Sequence, residues 1–91
     1  MAHPGLLLLD AAERDDAAQV AALLAEGALD SCADPAAEVG LAFRKAAELG
    51  RAEVVRLLLA DPRVDPAALD EPRFAGFRAR PLVAEALARR R

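Results

Sequence analysis

The fold is decided by the segment AAELGRAEVVRLLL, which runs from Ala46 to Leu59. Two stretches of helix-forming residues flank Gly50, and glycine readily adopts the left-handed backbone that ends a helix. In the second stretch Val55 and Leu58 begin an apolar stripe at helical spacing. The small side chains of the alanine pair that opens the segment allow a neighbouring helix to approach closely. The segment therefore predicts two antiparallel helices that are joined at Gly50.

The composition of the whole chain favours the same class of fold. Of its 91 residues, 24 are Ala and 15 are Leu, and the chain has no Ile, Thr, Tyr or Trp. Ala, Leu, Arg and Glu are strong helix formers, whereas strands favour β-branched and aromatic residues. A chain of this length forms a single domain. We therefore predict one all-α domain over residues 1–91, without a substantial sheet.

Capping signals and apolar stripes place the individual helices. Asp34-Pro35 is a helix start, with an Asp cap before a proline in the first turn, and Gly27 is a helix stop. Residues 61–80 are rich in proline and predict a structured loop with one short turn at Pro66–Leu69. About five helices are predicted, over residues 6–15, 17–26, 35–49, 51–60 and 81–91.

The chain contains an internal repeat. A shift of 35 residues places Leu23-Leu24-Ala25 on Leu58-Leu59-Ala60 and Asp30 on Asp65. Each unit reads as helix, tight break and helix, followed by a closing loop. Neither helix pair can bury both of its faces alone, so the units are expected to stack on each other. The expected units are residues 5–35, residues 36–70 and a C-terminal half-unit at 71–91.

The segment Ala46–Leu59 resembles the ankyrin repeat. The family pattern reads Ala-Ala, two variable residues, Gly-His, a variable residue, Glu-Val-Val, a variable residue and Leu-Leu-Leu; only Arg51, in place of His, departs from it. Arg80-Pro81-Leu82-Val83 resembles the Thr-Pro-Leu-His start of a third unit that stops after its first helix. The resemblance implies an ankyrin-like helical solenoid of antiparallel helix pairs.

The resemblance also implies how the chain would bind a partner. Ankyrin repeats contact other proteins through inner helices and hairpin tips, which correspond here to the third helix and to the loop from Arg63 to Arg80. That loop interleaves phenylalanine with arginine, and both residue types are enriched at interface hot spots. Phe74 and Phe77 have an alternative role, in which they plug the open end of the stack. The candidate partner-binding residues are Arg44, Lys45, Arg63, Arg73, Phe74, Phe77, Arg78 and Arg80.

Charge is distributed unevenly along the chain. The net charge is −3, but residues 1–40 carry −7 and residues 72–91 carry +5. The two ends are either solvated ends of an elongated molecule or, at the C-terminus, a basic contact surface.

The residue inventory argues against an enzyme. His3, Cys32 and Ser31 are each the only residue of their type, so neither a four-ligand zinc site nor a serine triad can be assembled. The five glycines are isolated and form no phosphate loop. We therefore expect no catalytic residues, no metal and no cofactor. The longest apolar run, Leu6–Leu9, is too short to span a membrane, and the single cysteine fits a cytoplasmic or nuclear setting.

These observations lead to one expected function and two alternatives. We expect a non-catalytic protein–protein interaction module of the ankyrin scaffold type, as a monomer or with weak self-association. One alternative is contact with nucleic acid or another polyanion through the C-terminal arginines, which the net negative charge disfavours. The other is a self-associating structural fragment of a larger repeat protein.

Overall fold

The protein is described by a computed structural model that covers residues 3–90. Within those residues it has helices and turns but no strand, which confirms the all-α prediction. The α-helices are α1 (Pro4–Glu13), α2 (Ala17–Ala25), α3 (Pro35–Glu48), α4 (Ala52–Leu59), α5 (Ala75–Arg78) and α6 (Pro81–Arg89). Short 3-10 turns lie at Ala28–Ser31, Pro66–Leu69 and Pro72–Phe74.

Helix starts follow the local capping chemistry. Proline stands in the first turn of α1, α3 and α6, where its missing N–H costs nothing. The first helix was predicted from residue 6, but it begins at Pro4 because His3 acts as the cap. The His3 Nδ1 atom accepts a hydrogen bond from the Gly5 N–H at 3.0 Å. Asp34 caps α3 as predicted, since its carboxylate accepts from the Ala37 N–H at 3.2 Å.

The two helix pairs turn in the same way, 35 residues apart. Gly50 has φ 71° and Asp15 has φ 59°, so both lie in the left-handed region. The N–H of the following residue donates back to the helix in each unit. Arg51 N–H donates to Ala46 O at 2.9 Å, and Asp16 N–H donates to Ala11 O at the same distance. The left-handed Asp15 also explains why α1 ends at Glu13, two residues before its predicted end.

The two helix pairs stack side by side. Within the units α1 packs on α2 and α3 packs on α4; between the units α1 packs on α3 and α2 packs on α4. The core forms where the four helices meet, and its large side chains recur at the 35-residue shift. The recurring buried pairs are Leu8 and Phe43, Val20 and Val55, Leu23 and Leu58, and Leu29 and Val64.

The C-terminal half-unit is built differently from the prediction. The sequence placed the last helix as the first helix of a third unit, which would lie beside α3. Instead α6 packs mainly against α4 and continues the row of second helices. No long helix of residues 3–90 takes that place. The turn Pro72–Phe74 and the four-residue α5 lie near the C-terminal end of α3, where Arg73 of the turn pairs with Glu48 at 3.3 Å. The row of first helices therefore ends in a stub.

Arginine side chains join successive units. Arg51, at the start of α4, donates from Nη2 to the Glu13 carbonyl at the end of α1 at 2.9 Å. Arg80, at the start of α6, donates from Nη1 to the Gly50 carbonyl at 3.4 Å.

The accessible surface is 5196 Å², close to the roughly 5,100 Å² expected for a compact monomer of this mass.

No helix within residues 3–90 combines the length and the apolar character needed to cross a lipid bilayer.

Candidate functional site

A groove of about 470 Å³ lies between α3 and the turn Pro66–Leu69. It runs along α3 from Ala36 to Arg44. We call it the α3 groove; its lining residues are Ala36, Ala37, Gly40, Leu41, Phe43, Arg44, Arg63, Asp65 and Ala68. Two of the sequence-predicted contact residues, Arg44 and Arg63, thus come together here.

The floor of the α3 groove is apolar and open. Gly40 contributes no side chain, and a Cβ atom placed there would meet no atom within 4 Å. Leu41 is 51% exposed although it belongs to the middle of α3. Ala36 and Ala37 are exposed one turn earlier and have small side chains. An exposed leucine beside three small residues makes a surface on which another apolar surface could pack closely.

The two arginines of the α3 groove differ in whether a carboxylate already binds them. Arg63 is fixed by Asp61, which accepts from Nε at 3.0 Å and from Nη2 at 2.8 Å. The side-chain hydrogen bonds from Arg63 lower the pKa of Asp61. Arg44 is exposed, and among residues 3–90 no carboxylate pairs with it. Arg44 is therefore the cation in the groove that can meet an incoming charge.

A second concavity of about 400 Å³ lies between the C-terminal end of α3 and residues 73–80. We call it the C-terminal cleft; it is lined by Ala47, Glu48, Leu49, Gly50, Arg73, Phe74, Phe77 and Arg80. The guanidinium of Arg73 lies 4.6 Å from the centre of the Phe74 ring, and that of Arg80 lies 5.4 Å from the Phe77 ring. The interleaving of phenylalanine and arginine in the sequence therefore serves contacts within the loop.

The phenylalanines of the C-terminal cleft face inward. Phe74 is only 5% exposed and belongs to the core. Phe77 is half-buried and packs against that core. The sequence left two roles for the phenylalanines, partner contact and filling of the open end of the stack. Phe74 has the second role, because it is buried where the short segment 72–78 lies beside the end of α3.

The arginines of this region are largely engaged as well. Arg73 pairs with Glu71 at 2.6 Å and with Glu48 at 3.3 Å, and these carboxylates raise its pKa. Arg78 lies apart from both concavities, near Asp70 at 3.7 Å. Lys45 is half-buried in the last turn of α3. The eight predicted contact residues thus form no single patch.

Arg90 has a structural role that the sequence did not suggest. Its Nη1 donates to the carbonyls of Leu59 at 2.8 Å and Asp61 at 2.7 Å, and its Nη2 donates to that of Val64 at 2.6 Å. It thereby joins the carbonyl of Leu59, the last residue of α4, to two carbonyls of the loop that follows. One of the C-terminal arginines assigned to polyanion contact is therefore used inside the fold. Arg89 is exposed, and Arg91 lies outside the described residues.

The groove floor was the part of the site that sequence reasoning missed. Gly40, Ala36, Ala37 and Leu41 were not candidates, because none is a charged or aromatic residue. One signal was present: the 35-residue shift places Gly5 on Gly40. A glycine at the same position of two helices points to a place where another helix passes close by.

Titratable side chains do not assemble into a metal site in this part of the chain. Within residues 3–90 no three His, Cys, Asp or Glu side chains are placed to share a metal ion. The Cys32 thiol is half-buried against the core.

Comparisons with protein-family models, with curated proteins and with solved structures found no match to this chain.

Proposed function

We propose that the chain is an ankyrin-like, non-catalytic module that binds another protein, and that the α3 groove is its contact surface. The observation that carries the proposal is the open, apolar side of α3 around Gly40 and Leu41. Arg44 lines the same groove and has no carboxylate partner among residues 3–90. We place this activity in the cytoplasm or nucleus.

The stacking of the helix pairs supports the ankyrin-like part of the proposal. The units repeat every 35 residues, turn in the same left-handed step and stack helix on helix. Repeats of this kind form extended surfaces on which partners dock. The segment that most resembles an ankyrin repeat, Ala46–Leu59, supplies the turn between α3 and α4.

The α3 groove is a better contact surface than the C-terminal cleft. In the cleft Phe74 is already buried, and Arg73 already has two carboxylate partners. In the groove Leu41 retains half of its surface, and covering it would contribute about 1 kcal/mol to binding. Arg44 can add a charge-assisted contact there.

The polyanion alternative receives less support from the geometry. Arg63, Arg73 and Arg90 are held by partners within the fold. A polyanion would have to compete with those internal contacts at a chain whose net charge is −3.

The experiment is affinity capture from a nuclease-treated lysate of the source cells with the immobilised chain. Leu41→Ser removes the exposed apolar group of the groove, and Leu82→Ser is the matched control, because Leu82 is a similarly exposed leucine on α6. Captured proteins are identified by mass spectrometry. We expect a protein that the wild type and Leu82→Ser retain and that Leu41→Ser loses.

Three other outcomes would contradict the proposal. Equal capture by Leu41→Ser and the wild type would remove the α3 groove from the contact surface. Capture that nuclease abolishes would favour the polyanion alternative. A dimer in light scattering, with no captured protein, would favour the self-associating fragment.

A further inference from the structure

We propose that the occupant of the α3 groove is an α-helix of the partner protein, which crosses α3 at Gly40 and brings a carboxylate within reach of Arg44. This inference rests on the proposed function and specifies the chemistry of its partner.

The molecule contains a filled copy of the same packing site. In the first unit the side chain of Glu38, from α3, lies directly over Gly5 of α1. A Cβ atom at Gly5 would collide with that carboxylate, and Gly5 is buried. The glycine in α1 therefore makes room for a side chain of the neighbouring helix.

The second unit repeats that site without its neighbour. The 35-residue shift places Gly40 on Gly5, but nothing lies within 4 Å of a Cβ atom at Gly40. The same difference runs along the helix: Leu9 is half-buried where its counterpart Arg44 is exposed, and Glu13 is half-buried where Glu48 is exposed. The side of α3 that contains Gly40 and Arg44 thus corresponds to the side of α1 that α3 itself covers. Leu41 lies at the edge of that side, since its counterpart Leu6 remains 62% exposed.

The shape of the vacant side suits a helix. Helices pack with their axes about 8–10 Å apart, and the shortest distances require small side chains at the crossing point. Ala36, Ala37 and Gly40 supply such side chains over one turn of α3. The stub of residues 72–78 reaches only the far end of this side, near Glu48.

The charge of the vacant side indicates what the helix carries. The filled site places the carboxylate of Glu38 over the glycine, one turn from Leu9. At the vacant site the residue one turn from the glycine is Arg44. A carboxylate over Gly40 would therefore find a cation that the filled site does not offer, and the pair would form a charge-assisted contact.

A second copy of this chain is a poorer occupant than a different protein. Its equivalent helix is α1, which presents His3 and Leu7 at the positions that Glu38 and Ala42 hold in α3. His3 offers no carboxylate for Arg44. Leu7 is much larger than the fully buried Ala42.

The test uses the intact chain and a synthetic peptide. The peptide has the sequence of residues 34–50 of this chain, which is α3 with its caps, and carries fluorescein; binding is measured by fluorescence anisotropy. We expect saturable binding to the wild type. Gly40→Leu should weaken binding about tenfold or more, because its side chain occupies the crossing point.

The glycine variant keeps the test separate from folding. A side chain at Gly40 meets no atom in the free chain, and leucine is a better helix former than glycine. The melting temperature of Gly40→Leu should therefore equal or exceed that of the wild type. Gly76→Leu is the matched control, since Gly76 is equally open but lies in α5, outside the groove. It should bind the peptide as the wild type does.

A charge swap tests the carboxylate. Arg44→Glu should weaken binding of the peptide, and a peptide with Glu38→Arg should recover affinity for Arg44→Glu. Arg89→Glu makes the same change in net charge on the exposed side of α6 and should leave binding unchanged.

The remaining outcomes overturn the inference and separate it from the proposed function. If the peptide fails to bind, or binds Gly40→Leu as well as it binds the wild type, the helical occupant is wrong. Should Leu41→Ser still lose its captured protein in that case, the binding function stands with an occupant of another kind. A Gly40-dependent dimer in sedimentation velocity would make a second copy the occupant instead.

Discussion

The α1–α2 pair and the α3–α4 pair reverse direction at equivalent positions but have different side chains. Leu8 occupies the place of Phe43, and Leu29 occupies the place of Val64, yet all four are buried. The lesson is that the repeat is defined by which positions are buried and where the chain reverses, and much less by residue identity. Divergence of this kind is tolerated because cores accept hydrophobic exchanges that keep volume and pattern.

The pairs differ most in how their second helices begin. The Asp16 carboxylate caps α2 by accepting from the Gln19 N–H at 3.1 Å. The residue before α4 is Arg51, whose side chain does not cap the helix and instead donates to the Glu13 carbonyl of the preceding unit. The first unit completes its own helix start, whereas the second uses that position for a contact between units.

The largest expected effect comes from the central core position of each pair. Phe43→Ala should destabilise the chain by about 4 kcal/mol and Leu8→Ala by about 3 kcal/mol, because both side chains are fully buried and the larger one leaves the larger cavity. Urea denaturation followed by circular dichroism measures both. If Leu8→Ala cost less than about 1 kcal/mol, the two pairs would not share one core.

The next largest effect concerns a contact at the end of α4. Arg90→Met keeps much of the side-chain volume but removes three hydrogen bonds to carbonyls, and we expect a loss of about 2 kcal/mol in unfolding free energy. Arg89→Met serves as the control on the same helix and should change stability by less than about 0.5 kcal/mol. Equal effects of the two variants would show that the Arg90 hydrogen bonds contribute no net stability.

Substitutions at the two helix breaks should change the stability of the chain in opposite directions. Gly50→Ala forces a Cβ atom into the left-handed region and should cost about 1 kcal/mol. Asp15→Gly relieves the same strain in the first unit and should stabilise the chain by about 0.5 kcal/mol. The gain is smaller than the cost of Gly50→Ala because glycine gains entropy in the unfolded chain, which opposes folding. Thermal melts of both variants decide the matter. A destabilised Asp15→Gly would mean that the Asp15 side chain has a favourable contact that outweighs its backbone strain.

The smallest effect is a pH dependence confined to the second unit. Hydrogen bonds from Arg63 hold the pKa of Asp61 below its ordinary value of 3.8. The folded state therefore binds the proton less readily than the unfolded state, so the stabilisation is complete above about pH 4 and is lost as the pH falls through the folded pKa. Asp61→Asn should be less stable than the wild type at pH 7, and the difference should shrink toward pH 3.

A matched acid in the first unit provides the control. Glu26 corresponds to Asp61 at the 35-residue shift, is exposed, and has no ion-pair partner among residues 3–90. The stability difference between Glu26→Gln and the wild type should stay small from pH 7 to pH 3. A difference between Asp61→Asn and the wild type that stays constant from pH 7 to pH 3 would argue against the assigned role of Asp61.

Local signals predicted some elements closely and could not predict others. The bounds of α2, α3 and α4 agree with the prediction to within one residue, because Asp caps, Pro35 and glycine stops act on their own neighbours. The start of α1 was missed because histidine is not a typical cap. α5 was missed because its four residues are too few to show a helical period.

The position of α6 and the α3 groove required the assembled fold. Pro81 correctly predicts the start of α6. The packing of α6 against α4, however, depends on the path of residues 61–80, which the sequence alone did not predict. The groove exists because, among residues 3–90, nothing fills the space between Gly40 of α3 and the turn Pro66–Leu69. An unoccupied side of a helix is hard to predict from its own residues. The one sequence signal here was the recurrence of glycine at positions 5 and 40.

The bond from Arg51 to the Glu13 carbonyl bears on how the molecule opens. Stacked units can exchange their amide hydrogens one unit at a time when the contacts within each unit greatly exceed those between units. Here the side chain that begins α4 is bonded to the end of α1, and unravelling either helix pair breaks that bond. The backbone amide hydrogens of Val20 and Val55 should therefore exchange with solvent at the same rate, through a single cooperative opening of both helix pairs.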